Sequence, residues 1–377
     1  MTGNMSENIA KKYQKKTDRE HILDNPDMYI GSIEKVNNSM FVYDETNKKI
    51  NEKNISYIPG LYKLFDEGIV NCRDHVVRME QLITSVEASD NKDNTNYPVT
   101  YIDISIDDST GIITLTNDGN GIDVSVHPEY KVWIPELIFG HLRTSTNYDK
   151  SEKKIVGGKN GFGFKLVLIW STWGKIETID AKTGQKYIQE FKDNLTTIEK
   201  PKITKCKNKP YTSVSFKPDF KRLGFNEEKF DEDFKSLMIR RIFDIAAVTD
   251  KSVKVKYNSK KLEPEIKDFE SYVNLYIGSK SETPRLYERA NDRWEYFVCL
   301  APNEEFTQVS FVNGINTYKG GKHVDYISNQ IVRKLTEFIK EKKNIQVKPA
   351  SIKEQLMVFI NCTIENPSFD SQTKDYL

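Results

Sequence analysis

The segment LYKLFDEGIVNCRDHV, Leu61 to Val76, sets a carboxylate and a carboxamide one helical turn apart, at Glu67 and Asn71. At about 100° per residue, Leu61, Phe65, Ile69, Cys72 and Val76 share one face. Glu67, Asn71 and Asp74 fall within about 60° of one another on the opposite face. A carboxylate so placed can orient a water, and an amide oxygen is a neutral, hard ligand for magnesium. A second stretch, NDGNG from Asn117 to Gly121, directly follows a strand-like run. It could fix a polar side chain against the edge of a flat base, with glycine admitting the ring to the backbone. A third, VGGKNGFGFKLVLIW from Val156 to Trp170, crowds glycine ahead of an apolar run. Unpaired N–H groups at a helix start attract phosphate. The stretch is not a Walker A loop, because Phe164 follows Gly163 and Lys165 comes one position late, and GxGxxG fails as well.

Taken singly, each stretch is also satisfied by ordinary structure: an amphipathic helix whose polar side meets water, an Asx turn, a glycine-rich surface turn. What would give them chemistry is a scaffold that brings them together. VTYIDISIDDSTGIITLTNDGNGI predicts a β-hairpin, with Ile102, Ile104 and Ile106 alternating before the DSTG turn and Ile113 and Leu115 after it. KFDEDFKSLMIRRIFDIAAV predicts a helix from the spacing of Phe234, Leu237, Met238, Ile242 and Ile245. A short strand, an Asn-Ser turn and a proline then place a domain boundary near residue 264. Beyond it EYFVCL and QVSFVNGI read as strands, and a KGGKH turn leads to an amphipathic helix of about five turns carrying Val324, Ile327, Ile331, Leu335 and Phe338. LMVFINCTI reads as a buried strand, and ENPSFDSQTKDYL as a loop.

The chain has 377 residues, enough for about two domains with real cores. With 37% hydrophobic and 29% charged residues it reads as globular, not disordered. A net charge of +1 excludes any bulk attraction to nucleic acid, so a basic patch must be local. Cys72, Cys206, Cys299 and Cys362 form no CxxC pair, which points to a reducing compartment without a zinc site or disulfide framework. The N-terminus lacks an apolar signal segment, and no apolar run approaches the ~20 residues that span a bilayer. These features lead to the expectation of an intracellular, soluble protein without membrane contact. Residues 1 to about 20 read as a polar arm with no core of its own.

Order and spacing connect the three stretches. A helix with E-x3-N, then Asx-x-G, then a glycine-rich lid before a helix resembles the GHKL ATPases. The blocks YQKKTDREHILDNPDMYIGS, YIPGLYKLFDE, LIFGHLRTSTNYD, VGGKNGFGFKL, FVNGINTYKGGKHVDYI and ENPSFDSQTKDYL make the resemblance closest to one branch. They are similar, in order and from about Tyr13 to Leu377, to the N-terminal region of eukaryotic-type (type IIA) DNA topoisomerase II. The resemblance implies an α+β chain: a Bergerat (GHKL) α/β sandwich over 21–264, then a ribosomal S5-like transducer domain over 265–377. Residues 1–20 would be a dimer-exchange arm.

It also implies roles. Glu67 would polarise the attacking water, with Gln372 and Lys374 completing the catalytic set. Asn71 would ligate Mg2+, and Asn117 would read adenine. Ser145, Thr146 and Asn147 would touch ribose and phosphate. Gly158, Lys159, Asn160, Gly161, Phe162, Gly163, Phe164 and Lys165 would form the phosphate lid. Gln372, Thr373 and Lys374 would reach the γ-phosphate. The implied cofactors are ATP and Mg2+. The implied partners are a second copy of the chain, recruited by ATP, and double-stranded DNA, held weakly. A nucleotide-dependent dimerisation module with little turnover is the alternative.

The chain departs from the family at several positions. NCRDH stands where NAADN is usual, so Arg73 and His75 are atypical, and His75 is either a nucleotide contact or a surface substitute. Asp118 replaces a second asparagine. Phe162 brings no hydroxyl, and Phe164 is expected to add bulk beside the phosphates. Nothing resembles the downstream DNA-cleavage module, so the chain reads as an excised ATPase region. A nuclear or viral-replication setting is expected. The lysine- and asparagine-rich divergence fits a large DNA virus.

Overall fold

The structure, a computed structural model, describes residue 13 and residues 15–87, 96–142, 144, 155–156 and 163–377. Helix α1 (Asp18–Asp24) opens with a capping box between Thr17 and Glu20. A hairpin of β1 (Val36–Asp44) and β2 (Lys49–Tyr57) follows, forming a two-stranded sheet of its own. Helix α2 (Pro59–Glu87) contains both Glu67 and Asn71. Strands β3 (Tyr101–Asp107) and β4 (Ile112–Asp118) form the expected hairpin, pairing Ile104 with Leu115. Short helices α3 (Ile134–Gly140) and α4 (Gly163–Ile169) precede β5 (Ser171–Ile179), β6 (Gln185–Lys192), β7 (Thr197–Ile198), β8 (Lys202–Lys205) and β9 (Tyr211–Pro218). Helix α5 (Glu232–Ala247), capped by Asp231, leads to β10 (Lys254–Tyr257) and β11 (Lys260–Lys261). The large sheet runs β11-β10-β3-β4-β9-β5-β6-β7, with β8 also on β6.

The remaining elements are α6 (Phe269–Ile277), β12 (Arg285–Asn291), β13 (Trp294–Leu300), β14 (Thr307–Val312), β15 (Ile315–Asn316), α7 (Lys322–Lys343), α8 (Pro349–Glu354) and β16 (Leu356–Cys362). They build a second sheet in the order β12-β13-β16-β14-β15. Strands β14 and β16 are parallel, so α7 and α8 form the crossover that parallel pairing requires. Val324, Ile327 and Val332 bury against this sheet, whereas Phe338 is 54% exposed where α7 runs on past it.

Alternation along β3 and β4 buries Ile102, Ile104, Ile106, Ile113 and Leu115 on one face. Helix α2 covers β3 and β4 and packs on both α4 and α5. The approach is close at Gly68, where a Cβ would collide with the Leu115 side chain. A glycine beside Glu67 therefore lets α2 settle onto the sheet. The polar side of α2 does not meet water as an isolated amphipathic helix would: Glu67 is 5% exposed and Asp74 fully buried. It is covered by α4 and by the C-terminal segment after β16.

Candidate functional site

Glu67 lies in a buried ionic cluster. Its Oε1 is 2.9 Å from Lys63 Nζ, one turn earlier on α2, and 3.2 Å from Lys374 Nζ, at the other end of the chain. Lys63 also reaches Asp66 at 3.2 Å, and Asp66 accepts from Arg241 Nε of α5 at 2.7 Å. Burial alone would raise the Glu67 carboxyl, but Lys374 and Lys63 outweigh it and hold the group below its usual range. The same contest at Asp66, burial against Arg241 and Lys63, ends at about 2. Both carboxyls are ionised at neutral pH.

Asn71 donates its Nδ2 to the Glu67 carbonyl at 2.7 Å. That bond fixes the amide and leaves its oxygen as the end a cation would meet. The first residue of α4 faces this pair: a Cβ on Gly163 would stand 3.5 Å from Glu67 Oε2 and 3.8 Å from Asn71 Nδ2. Lys374 enters from a tight loop and adopts φ 61°, a left-handed conformation uncommon for lysine, of the kind found where structure over-determines a functional residue. Asp375 braces it, accepting from Thr373 Oγ1 at 2.8 Å and Tyr318 OH at 2.8 Å and pairing with Lys319 at 2.6 Å. Gln372 is half-buried two residues before Lys374.

The Asx-x-Gly stretch divides into two roles. Asn117 is buried on the same face of β4 as Leu115, with its Nδ2 bonded to the Asp118 carbonyl at 2.8 Å. Asp118 instead ties β4 to β3's leading edge, accepting from Thr100 N at 2.7 Å and Tyr101 N at 3.1 Å. His75 is no surface substitute. Its Nε2 is buried without a partner among the described residues, and a Cβ on Gly119 would stand 2.7 Å from it. Burial, aided by Arg78, pushes the imidazole down to about 4, so the ring is neutral.

The lid is described only at its C-terminal end. Ser145, Thr146, Asn147, Gly158, Lys159, Asn160, Gly161 and Phe162 lie outside the described residues. Phe164 corrects an expectation: its ring turns into the core, edge-on to Phe139 and Phe216 at 5.6 and 5.8 Å, so its bulk is not beside a phosphate. The reason is helical phase, since α4 starts at Gly163 and buries its next residues. Lys165 is 4% exposed and donates to the Thr144 carbonyl, joining α4 to the segment before Ser145. Burial brings its ammonium down to about 8.

Sequence reasoning missed Lys63, although a lysine four residues before a glutamate on one helix is a readable i,i+4 pair. It also missed Arg241, and it missed what the YKGGKH turn holds. That turn holds the C-terminal loop through Lys319 N to Asp375 O at 3.0 Å and Lys322 N to Leu377 O at 3.1 Å.

The DNA gyrase B family profile matches residues 255–377. The solved ATPase region of Saccharomyces cerevisiae topoisomerase II is 42% identical and aligns with a TM-score of 0.87, covering 98% of this chain and 90% of that one. The chain belongs to the DNA topoisomerase 2 family. The ATPase and transducer domains of DNA topoisomerase II from Balamuthia mandrillaris align equally well, with a TM-score of 0.87 at 38% identity over 97% of this chain and 89% of that one. DNA topoisomerase 2 of Acanthamoeba polyphaga mimivirus is 43% identical over 98% of this chain and 28% of its own length. The Saccharomyces cerevisiae protein is 43% identical over 98% and 25%. The chain thus spans about a quarter of the length of these topoisomerase 2 relatives. The nine-stranded and the five-stranded sheet, each with its helices, match the ATPase and transducer domains of this family, the GHKL sandwich and the S5-like fold. No helix among the described residues is long and apolar enough to cross a membrane.

The donor set fits a magnesium nucleotide. One amide and one carboxylate face a glycine, two ammonium groups pair with that carboxylate, and the described residues hold no cluster of three or more His, Cys, Asp or Glu. A Mg2+ carried in on phosphates needs only one or two protein ligands.

Proposed function

We propose that this chain is the ATP-hydrolysing N-gate of a type II DNA topoisomerase, divided into an arm (1–20), an ATPase domain (21–264) and a transducer (265–377). The observation that carries the reading is the 3.2 Å contact of Lys374 with Glu67 across 307 residues of sequence. Glu67 orients water and draws off its proton. Asn71 holds Mg2+, which when bound neutralises phosphate charge. Asn117 faces adenine, Ser145 to Asn147 and the lid from Gly158 to Lys165 enclose ribose and phosphates, and Gln372 to Lys374 meet the γ-phosphate. Lys374 supplies a fixed positive charge where negative charge develops. ATP binding closes two chains into a gate that captures and passes a DNA duplex.

One observation favours a second reading, a nucleotide-dependent dimerisation module with little turnover. Two ammonium groups depress the basicity of Glu67, which weakens it as a proton acceptor. ATP hydrolysis as a function of protein concentration decides between them. Glu67→Gln should retain Mg-ATP binding and lose about 10²- to 10⁴-fold in rate. A parental chain that binds but does not turn over leaves the module, and a variant at the parental rate removes Glu67 from the mechanism.

A further inference from the structure

The turn between β14 and β15 is held from the ATPase side by two buried arginines. Arg73 Nη1 donates to the Asn313 carbonyl at 3.1 Å, and Arg241 Nη2 donates to the Gly314 carbonyl at 2.9 Å. Arg73 Nε also reaches the Val248 carbonyl at 3.5 Å. The turn has φ 51° at Asn313 and 79° at Gly314, the two positive values that an Asn-Gly hairpin turn of type I′ requires. Its fit to Arg73 is close: a Cβ on Gly314 would stand 2.8 Å from Arg73 Cδ and 2.9 Å from Nε.

Asn313 then passes the contact on. Its Nδ2 donates to the Ile364 carbonyl at 2.9 Å, and its Oδ1 accepts from the Ile364 N–H at 2.9 Å. Ile364 starts the segment that ends in Lys374, and Lys374 returns to Glu67 on α2, six residues before Arg73. The contacts close a ring: α2 from Glu67 to Arg73, then Asn313, Ile364, the C-terminal segment, Lys374, and Glu67 again.

We propose that Arg73 is a positioning residue that bolts the Asn313–Gly314 turn to α2 and so sets where Lys374 stands relative to Glu67. This rests on the reading that Glu67 and Lys374 act on the γ-phosphate. A guanidinium suits the task because its rigid fork addresses two carbonyls on different elements, which a single ammonium cannot do. Small displacements of a positioned charge cost rate out of proportion to binding.

The test uses Arg73→Ala, Arg73→Gln and Arg73→Lys in the full chain. Arg73→Gln keeps part of the aliphatic stem against Gly314, in case alanine compromises folding. Hydrogen exchange over residues 364–377 is read together with steady-state ATPase and with binding of ADP and a non-hydrolysable ATP analogue. Loss of the bolt should speed exchange in that segment and lower kcat about 10- to 100-fold. KM and ADP affinity should change less than analogue affinity. Arg73→Lys should recover part of the rate, and Arg73→Ala combined with Lys374→Ala should be no slower than Lys374→Ala alone. Unchanged exchange in 364–377 overturns the inference whatever the turnover, as do equal losses for ADP and analogue, or a double variant whose losses multiply. Should Lys374→Ala alone keep the parental rate, the functional reading fails, and the exchange result still judges the bolt.

Discussion

Two ammonium groups share one oxygen of Glu67, and this arrangement makes the residue-scale predictions specific. On the proposed reading, Lys374 shares its three N–H donors between Glu67 and an incoming γ-phosphate. Lys374→Ala should therefore lower turnover more than it weakens ADP binding, because ADP lacks that phosphate; calorimetric titration with ADP and with a non-hydrolysable analogue checks it, and equal losses would count against the assignment. A separate residue bears on stability. His323 is 2% exposed, its Nε2 lies 2.9 Å from Thr317 Oγ1, and burial pushes its imidazole down to about 4, Asp325 offsetting this only in part. Between about pH 6.5 and 4 the unfolded chain takes up a proton that the native chain refuses, so stability falls as pH drops through that window. At 1.36 kcal/mol per unit the loss is roughly 3 kcal/mol. His323→Gln should flatten the pH dependence of the urea midpoint between pH 7 and 5, and an unaltered slope would show that other groups set it.

At the scale of elements, legibility followed burial on one face. The β3–β4 hairpin was readable because one side is core and the other is not, so Ile102, Ile104 and Ile106 alternate with polar residues. The α2 stripe was readable for the same reason on its apolar side. Its polar side, read locally, fits a solvated face as well as a site, because the cover comes from α4 and from a segment some 300 residues later, and no local pattern announces such a lid. The β1–β2 hairpin gave no signal: VNNSMFVYD divides into a polar and an apolar half and KINEKNISY is mostly polar, so neither alternates cleanly. Phe164 looked like a phosphate neighbour because a spacing assigns a position but not the phase of the helix it begins. Helix α7 carries the prediction at this scale. Lys340, Lys342 and Lys343 are exposed in its last turn, where they complement the helix dipole and could also meet DNA phosphates. Replacing all three by glutamine should flatten the salt dependence of duplex binding measured by fluorescence anisotropy. An unchanged slope assigns them to the dipole alone.

For the whole molecule, the family, the two sheets and the Glu67–Asn71–Lys374 grouping were legible because the blocks occur in order along the entire chain. The ring through Arg73 and Asn313 was not, since it depends on how two sheets meet. The gate reading predicts that association is weak without nucleotide, strong with a non-hydrolysable analogue, and reversed after hydrolysis. Sedimentation velocity with and without the analogue checks this; a monomer in both conditions would exclude an ATP-driven gate for this chain. Deleting residues 1 to 20 should abolish the concentration dependence of the rate per chain.

The span between Glu67 and Lys374 also sets an order of events during synthesis. The large sheet has all its strands once Lys261 has emerged, while the ammonium that meets Glu67 lies 307 residues beyond that glutamate. At roughly 5–20 residues per second, this leaves an interval of about 15–60 s in which a nascent chain carries Glu67 and Asn71 without Lys374. During it Glu67 has Lys63 as its near cation, and the Asn313–Gly314 turn that Arg73 holds is made before Lys374. A ribosome-bound chain can thus present Glu67 and Asn71 well before Lys374 joins them. All strands of both large sheets precede Lys374 in the chain, so Glu67 gains its second cation only after they have been made.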